Sequence, residues 1–180
     1  NKLFLSASKK SFDEEINWKN KKIKIKSIEE TLGNNPDLVF FSAGDECSRK
    51  WVKKFSSKGS LVIDNSSVFR LDDDIKLIIP EINFDILTKN DKIISNPNCS
   101  TIQLVMVLSP LDKLYKINRV IVSTYQSVSG SGKEAVRQLT NENQGIVDEM
   151  YYPYEIYNNC IPHCDTFHSS GYTREELKLI

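Results

Sequence analysis

Several residue types that would indicate a specialised class of protein are scarce in this chain. The 180 residues include only four cysteines, too few and too unevenly spaced for a disulfide framework, which favours a reducing, cytoplasmic setting. The 24 acidic and 24 basic residues cancel, so no overall charge attracts nucleic acid or an anionic membrane. No apolar run reaches the roughly 20 residues that a membrane-spanning helix needs. We therefore predict a cytoplasmic protein with neither a nucleic-acid partner nor a membrane partner.

The residues that are present predict an ordinary folded core. Apolar residues make up 39% of the chain and charged residues 27%, which is typical of a globular protein with a solvated surface. The length fits one domain or parts of two. The chain opens on Asn1 within a strand-like pattern and closes at Ile180 within a helix-like one, so we expect a piece of something larger.

Short buried strands alternate with helices along the chain. "PDLVFFSAG" (36–44) and "SLVIDNS" (60–66) have the pattern of buried parallel strands, and a helix capped by Asp45 is predicted between them. "IKLIIP" (75–80) and "DKIIS" (91–95) predict two further strands of the same kind. This alternation indicates an α/β protein with a mainly parallel sheet.

Four other local patterns make specific structural predictions. "KKIKIKS" (21–27) alternates lysine with isoleucine, which predicts an exposed edge strand. Ser27 and Glu30 form a capping-box pattern that predicts a short helix. Apolar residues at helical spacing predict a helix over Ser100–Leu114. "INRVIVSTYQSV" (117–128) predicts a strand, and the glycine-rich turn after it should run into a helix.

The segment "KIISNPNCSTIQL" (92–104) places a cysteine where a strand gives way to a helix. Pro97 disfavours helical geometry at Asn96, so the strand must end there. Cys99 then falls at the N-terminus of the helix, where unpaired backbone N–H groups and the positive end of the helix dipole favour a thiolate. The carboxyl end of a strand in an open α/β sheet is also where ligands bind.

The residues around Cys99 leave two interpretations open. The N–H groups of the helix start could stabilise the oxyanion that forms when a thiolate attacks a carbonyl, which favours a catalytic nucleophile. A lone cysteine is, however, more often a small buried apolar residue of the core.

Four segments resemble the aspartate-semialdehyde dehydrogenases. "SNPNCSTIQL" (95–104) is similar to the active-site segment of that family. "VIDNSSVFRLDDDIKLIIPEIN" (62–83) resembles the family upstream of it, and "VIVSTYQSVSGSGKEAV" (120–136) resembles the family downstream. "YPYEIYNNCIPHCDTFHSSGYTREELK" (152–178) continues the similarity, so that the resemblance covers most of residues 38–180.

The resemblance implies an activity and the residues that carry it. The family converts aspartyl 4-phosphate and NADPH to aspartate 4-semialdehyde, NADP and phosphate, on the route to lysine, threonine and methionine. Cys99 matches the nucleophile, whose thiolate would displace phosphate to form a thioester. Gln126 matches a residue that binds substrate and helps align the thioester. Arg70 matches a phosphate-binding arginine, whose fork suits two phosphate oxygens, and Asn98 is expected in the same site.

The resemblance also implies where NADP would bind. Ser42, Ala43 and Gly44 match a cofactor-lining turn after a buried strand. Ser129 and Gly130 match backbone contacts to the nicotinamide side, where glycine permits close approach.

The resemblance implies a site for the 2′-phosphate of NADP as well. Lys10 and Ser11 match an Arg-Ser pair that receives this phosphate in the family. Lysine keeps the positive charge but loses the bidentate geometry, which weakens the expected discrimination of NADP from NAD. The family's glycine-rich dinucleotide motif, its general acid/base histidine and its carboxylate-binding arginine find no match here. We therefore expect this chain alone to bind NADP weakly and not to turn over.

A two-part architecture follows from the resemblance. Residues 1–98 would form most of a Rossmann-type NADP-binding domain with a parallel sheet. Residues 99–180 would begin an α+β catalytic and dimerisation domain of the glyceraldehyde-3-phosphate-dehydrogenase-like C-terminal type. The full-length protein would be a homodimer or homotetramer. Two alternatives remain: a sister acyl-phosphate reductase with another substrate, and a non-catalytic or partner-binding homologue of the same fold.

One cluster invites a metal assignment. "CIPHCDTFH" (160–168) offers Cys160, His163, Cys164 and His168. This is not a standard zinc spacing, and the proline within it disrupts an arrangement on one helix. The family has apolar residues where the cysteines stand, which indicates packing. We predict that this chain binds no metal.

Overall fold

The computed structural model describes residues 2–180, apart from the side chain of Lys10. The chain divides into two compact units, the first ending at Lys113 and the second comprising Leu114–Ile180. None of the helices among the described residues is long and apolar enough to span a membrane.

The first unit contains two sheets. The smaller sheet has the order β1-β3-β2, with β1 parallel and β2 antiparallel to β3; its strands are β1 (Leu5–Ser6), β2 (Glu15–Trp18) and β3 (Lys21–Lys26). The larger sheet has the order β4-β5-β7-β6 and is parallel throughout; its strands are β4 (Leu38–Phe41), β5 (Leu61–Asp64), β6 (Lys76–Leu77) and β7 (Ile93–Ser95). The predicted α/β fold with a parallel sheet is confirmed.

Helices connect these strands and continue beyond them. In chain order they are α1 (Ile28–Gly33), α2 (Asp45–Ser57), α3 (Pro80–Asn83), α4 (Cys99–Tyr115), α5 (Lys133–Asn143) and α6 (Arg174–Leu177). The capping box predicted at Ser27 and Glu30 is present, since the Ser27 hydroxyl accepts from the Glu30 N–H at 3.1 Å. The helix predicted over 100–114 is α4.

The core of the first unit lies between α2 and the parallel sheet. Trp51, Val52 and Phe55 fall on one face of α2 and are at most 8% exposed. Phe55 meets Phe41 of β4 edge-to-face, with ring centroids 5.6 Å apart, and Val62 of β5 is fully buried in the same cluster. Burial of these side chains holds α2 on β4 and β5, and so fixes where the two strands end.

The prediction of an edge strand at residues 21–27 was wrong. β3 lies between β1 and β2 and pairs with both. Its lysines project from the sheet, where Lys22 pairs with Glu15 at 3.2 Å and Lys24 with Asp13 at 2.6 Å. The alternation of lysine with isoleucine therefore marks a solvated face of a strand rather than an unpaired edge.

The prediction that Asp45 caps α2 was also wrong. Gly44, with φ of 86°, occupies the capping position, and Asp45 is the first helical residue. The Asp45 carboxylate accepts from the Ser67 hydroxyl at 2.5 Å and from the Ser67 N–H at 3.0 Å. The hydroxyl bond is the largest cause of a lowered pKa at Asp45. The carboxylate thus fastens the segment after β5 to the start of α2.

The strand predicted over residues 117–128 does not form. A strand needs a neighbour for its N–H and C=O groups, and within the described part of the chain no ladder pairs with this segment. Ile121 and Tyr125 are accordingly 85% and 93% exposed. The glycine-rich turn that follows, Val128–Ser131, leads into α5 as predicted.

We predict that Phe55→Ala lowers the free energy of unfolding by about 3–5 kcal/mol, because it empties the centre of the α2–sheet core. Urea unfolding followed by circular dichroism measures the loss. Arg49→Ala, at an exposed position of the same helix, should change the free energy by less than about 0.5 kcal/mol. A loss below about 1 kcal/mol for Phe55→Ala would contradict this description of the core.

Asp91 ties the loop before β7 to β6. Its carboxylate accepts from the Thr88 hydroxyl at 2.8 Å, from the Thr88 N–H at 2.6 Å, and from the Lys76 ammonium at 3.0 Å. These contacts, those to Thr88 first, lower the pKa of Asp91 to about 2. Because the folded carboxyl is the more acidic, its contribution to stability is present above its unfolded pKa of about 3.9 and is lost as pH falls toward about 2.

We predict that Asp91→Asn lowers the melting temperature at pH 7. The difference from wild type should stay constant down to about pH 5 and shrink between about pH 4 and pH 2, where Asp91 itself becomes protonated. Thermal unfolding followed across this range measures both curves. Asp73→Asn, at an exposed carboxyl, is the control; a difference that does not shrink on acidification would contradict the role of the Asp91 charge.

Candidate active site

Cys99 is the first residue of α4 and is exposed. β7 ends at Ser95, and the Asn98 carbonyl accepts the first helical hydrogen bond, from the Ile102 N–H at 2.9 Å. The Asn98 side chain caps the helix, since its Oδ1 accepts from the N–H groups of Ser100 and Thr101 at 3.0 and 3.1 Å. The strand-to-helix corner therefore lies where the proline at position 97 placed it, with the thiol at its outer surface.

The Asn98 cap occupies N–H groups that we expected to bind an oxyanion. The N–H groups of Ser100 and Thr101, at the start of α4, already donate to Asn98 Oδ1. The Cys99 sulfur lies 4.0 Å from the Ser100 hydroxyl. Asn98 thus organises the helix start directly beneath the thiol.

Arg70 reaches the same corner from the segment after β5. Its Nε donates to the carbonyl of Asn96 at 3.0 Å, and Nη2 donates to the carbonyl of Asn65 at 3.0 Å. The Asn96 side-chain amide also donates to Asn65 Oδ1 at 2.7 Å. The predicted arginine therefore lies within reach of the chain that carries Cys99. The two asparagines were not predicted, because nothing in the sequence marks a contact across 31 residues.

The carboxyl ends of three strands form one edge that holds these residues. The Asn65 N–H donates to the carbonyl of Phe41 at 2.9 Å, and the Asn96 N–H donates to the carbonyl of Asp64 at 2.7 Å. The exposed turn 42–44 follows β4 at this edge. A Cβ added at its glycine, Gly44, would meet nothing within 4 Å, so the turn presents open backbone. The structure thus brings the turn, Arg70 and the Cys99 corner to the same edge.

A buried carboxylate lies under this edge. Asp64 is fully buried and accepts from the hydroxyls of Ser48 at 2.6 Å and Ser66 at 2.5 Å. Burial, and secondly the nearby Asp64 charge, raise the pKa of the Cys47 thiol. Cys47 is therefore poorly suited to act as a nucleophile at neutral pH.

Lys10 and Ser11 lie in a short 3₁₀ turn, Lys9–Ser11, that follows β1 in the smaller sheet. Ser11 is half-buried, and the side chain of Lys10 is outside the described parts of the chain. The proposed contact to a 2′-phosphate therefore stays a prediction.

The second unit holds the remaining predicted residues. Gln126 is exposed, and its amide lies 3.5 Å from Glu175 Oε1, a carboxylate that is 7% exposed and accepts from the Lys178 ammonium at 2.9 Å. Burial lowers the pKa of Lys178, but its bonds to Glu175 and Asp165 outweigh this and raise it. Ser129 is exposed in the turn before α5, as is the glycine beside it, Gly130.

Glu175 was missed by the sequence analysis, although a signal for it exists. Thr173 and Glu176 form a capping box, in which the Glu176 carboxylate turns back to the Thr173 N–H at 2.6 Å. Glu175 precedes Glu176, so its side chain lies on another face of α6 and is not part of the capping box. The sequence pattern therefore shows that Glu175 is available for a contact elsewhere.

The cysteine–histidine cluster does not gather around one point. Cys160 and Cys164 are exposed, the His163 ring stacks on Phe167 at 4.9 Å, and His168 Nδ1 lies 3.0 Å from the Ser170 hydroxyl. Across residues 2–180, no three side chains of His, Cys, Asp or Glu come together as a metal site requires.

The chain is similar to known proteins along its whole length. It is 40% identical to the aspartate-semialdehyde dehydrogenase of Shewanella violacea over 186 residues, which cover 99% of this chain and 55% of that protein. It is 43% identical to the enzyme of the same name from Campylobacter jejuni, covering 97% of this chain and 54% of that one. The chain thus spans about half the length of the curated relatives it matches.

Solved structures give the same result. Aspartate semialdehyde dehydrogenase II from Vibrio cholerae superposes with a TM-score of 0.91 at 39% identity, covering 99% of this chain and 56% of that one. The structure of that protein complexed with ASA superposes with the same TM-score.

Family models account for both parts of the chain. The model described as semialdehyde dehydrogenase, NAD binding domain, matches residues 1–90, which is half of the chain. The model described as semialdehyde dehydrogenase, dimerisation domain, matches residues 108–180. On these matches, the chain belongs to the semialdehyde dehydrogenase family.

Proposed function

We propose that the protein to which this chain belongs is an aspartate-semialdehyde dehydrogenase that uses Cys99 as its nucleophile. It would convert aspartyl 4-phosphate to aspartate 4-semialdehyde with NADPH, releasing phosphate and NADP. The observation that carries the proposal is the exposed Cys99 thiol at the first residue of α4, at the carboxyl edge of the parallel sheet. That edge is where open α/β sheets bind their ligands.

The similar proteins support the substrate. The relatives from Shewanella violacea and Campylobacter jejuni carry the name aspartate-semialdehyde dehydrogenase, and one similar structure is described as complexed with ASA. Cys99, Arg70 and Gln126 would supply the nucleophile, the phosphate-binding cation and the substrate-binding amide of this reaction. The chain spans only about half of the length of those proteins, so the activity proposed here is that of the full-length protein and not of these 180 residues alone.

Cys99 would perform the first chemical step. Its thiolate attacks the acyl carbon of aspartyl 4-phosphate, a C–S bond forms, the C–O bond to phosphate breaks, and phosphate leaves with the electron pair. The product is a thioester, which remains electrophilic enough to accept hydride. Because Cys99 is the first residue of α4, its sulfur lies at the positive end of the helix dipole, which stabilises negative charge that develops there during the reaction.

Arg70 and Asn98 would bind the phosphate. Hydrogen bonds to the backbone carbonyls of Asn96 and Asn65 hold the Arg70 guanidinium at this edge, so a positive charge lies beside the Cys99 corner. A cation held in place stabilises the negative charge that develops on a leaving phosphate without having to move. Asn98 sits one residue before the nucleophile and holds the helix start in place.

Gln126 would bind the acyl part of the substrate. Its contact with Glu175 restrains the amide, and the Lys178 ammonium in turn holds Glu175. A restrained amide can align a thioester carbonyl at lower entropic cost than a freely rotating one.

The turn 42–44 fits part of a dinucleotide. Its backbone is open at Gly44, so a ribose or ring can approach closely. Asp45 and Glu46 follow at the start of α2, and their negative charge makes that helix start unsuited to pyrophosphate. When bound, NADPH would supply the hydride that reduces the thioester. Ser129 and Gly130 would contact the nicotinamide side, and Lys10 with Ser11 the 2′-phosphate.

The domain organisation and assembly are part of the proposal. Residues 1–98 would belong to the NADP-binding domain and 99–180 to the catalytic and dimerisation domain. The match of residues 108–180 to a dimerisation domain supports a homo-oligomer, and we propose a homodimer or homotetramer.

We predict that Cys99→Ser lowers kcat of the full-length protein at least about a thousandfold, since an alcohol is a far weaker nucleophile than a thiolate at neutral pH. Phosphate-dependent formation of NADPH from aspartate 4-semialdehyde measures the rate. Cys160→Ser, at another exposed cysteine, should leave kcat within about twofold of wild type. Activity of the Cys99→Ser protein within tenfold of wild type would rule out Cys99 as the nucleophile.

A further inference from the structure

We propose that Asn65 and Asn96 form a positioning pair that holds the Cys99 corner in its reactive geometry. This inference rests on the proposed role of Cys99 as the nucleophile. Neither asparagine is expected to touch substrate; the pair acts through the backbone that carries Cys99.

The pair is a contact between two strand ends. The Asn96 side-chain amide donates to Asn65 Oδ1 at 2.7 Å, and Arg70 donates to the backbone carbonyls of both residues, each at 3.0 Å. Two of these hydrogen bonds, from Asn96 to Asn65 and from Arg70 to Asn96, join the segment after β5 to the segment after β7, and the third holds Arg70 on Asn65 within the segment after β5. Asn96 is therefore held both through its side chain and through its backbone carbonyl.

The position of Asn96 is passed to Cys99 through a short, stiff connection. Pro97 is buried and has a fixed φ, and Asn98 caps α4 through two N–H groups. Few backbone torsions between Asn96 and the helix start are therefore free to absorb a displacement. A shift of Asn96 moves the first turn of α4 and the thiol with it.

The same pair relates the nucleophile to the turn 42–44. The Asn65 N–H donates to Phe41, the last residue of β4, at 2.9 Å. Asp45, directly after the turn, holds Ser67 through two hydrogen bonds. A continuous set of contacts therefore runs from the turn through Asn65 to Asn96. It sets the separation between the thiol and the surface proposed for the cofactor.

A purely stabilising role does not account for this arrangement. Asn65 is exposed, so its hydrogen bond competes with water and contributes little to the stability of the fold. The large core between α2 and the sheet already holds β5 in place. What the pair adds is geometric restraint at the corner that ends in Cys99.

A double-mutant cycle in the full-length protein tests the proposal. The variants are Asn65→Ala, Asn96→Ala and Asn65→Ala/Asn96→Ala, and Ser95→Ala is the control. Ser95 neighbours Asn96 but its hydroxyl, buried at the end of β7, has no hydrogen-bond partner in the described structure. The measurement is the rate of iodoacetamide alkylation of Cys99 at pH 7 divided by that of Cys160, resolved by mass spectrometry. Because Cys99 is already exposed, a lower rate in a variant cannot come from poorer access of the reagent to a buried thiol.

We predict that each single variant lowers this ratio about fivefold to tenfold and that the double variant lowers it no further, as members of one contact do. Ser95→Ala should leave the ratio unchanged. Single variants with the wild-type ratio, or a double variant in which the two effects multiply, would overturn the pairing. A wild-type ratio near one is a separate outcome: it would overturn the proposed role of Cys99, and this inference with it.

Discussion

The common level at which the parallel strands end is the constraint on which the rest of this structure depends. Phe41 pairs with Asp64, Asp64 with Ser95, and Ser95 with Leu77, so the last residues of all four strands lie in one row. Everything proposed for catalysis in the first unit follows directly after that row. A slip of one residue in any ladder would turn the following side chains to the other face of the sheet and disperse the site.

The row is held by two kinds of interaction with different consequences. Burial of Phe55, Val52 and Trp51 against the sheet supplies the free energy, but it is non-directional and tolerates small shifts. Hydrogen bonds that Asp45 accepts, that Arg70 donates and that join the two asparagines are directional, and they act at the edge, where water weakens each of them. The core thus decides that α2 and the strands pack together, and the polar edge decides where the Cys99 thiol stands relative to the turn after β4.

The parts of this architecture that depend on local pattern were predictable from the sequence. The apolar run 38–41 predicts a buried strand, and the pattern after it predicts an amphipathic helix. The proline at position 97 correctly marks the end of β7. The parts that depend on distant partners were not predictable. β3 was predicted to be an edge strand because the alternation of lysine and isoleucine does not show which strands lie beside it. Residues 117–128 include strand-forming residue types, but no strand pairs with them in the described structure.

The candidate site divides in the same way. The cysteine, arginine and glutamine were located through resemblance to a family, whose motifs are local. Their supporting contacts, Asn65 with Asn96 and Gln126 with Glu175, join residues 31 and 49 positions apart, and polar surface residues of these types carry no pattern that would pair them. Asp45 was placed at the correct helix end, but its partner proved to be Ser67 rather than the helix backbone.

The most direct test of this account is the rate of alkylation of Cys99 in the full-length protein at pH 7, with mass spectrometry separating it from the other cysteines. Cys160 is an exposed reference thiol, and Cys47, whose pKa is raised by burial and by the nearby Asp64 charge, should remain the slowest. The account predicts that Cys99 is alkylated clearly faster than Cys160, and that the proposed substrate aspartate 4-semialdehyde slows the reaction at Cys99 alone. Equal rates at Cys99 and Cys160, unchanged by aspartate 4-semialdehyde, would contradict it, since the corner would then hold a thiol that does not meet the substrate.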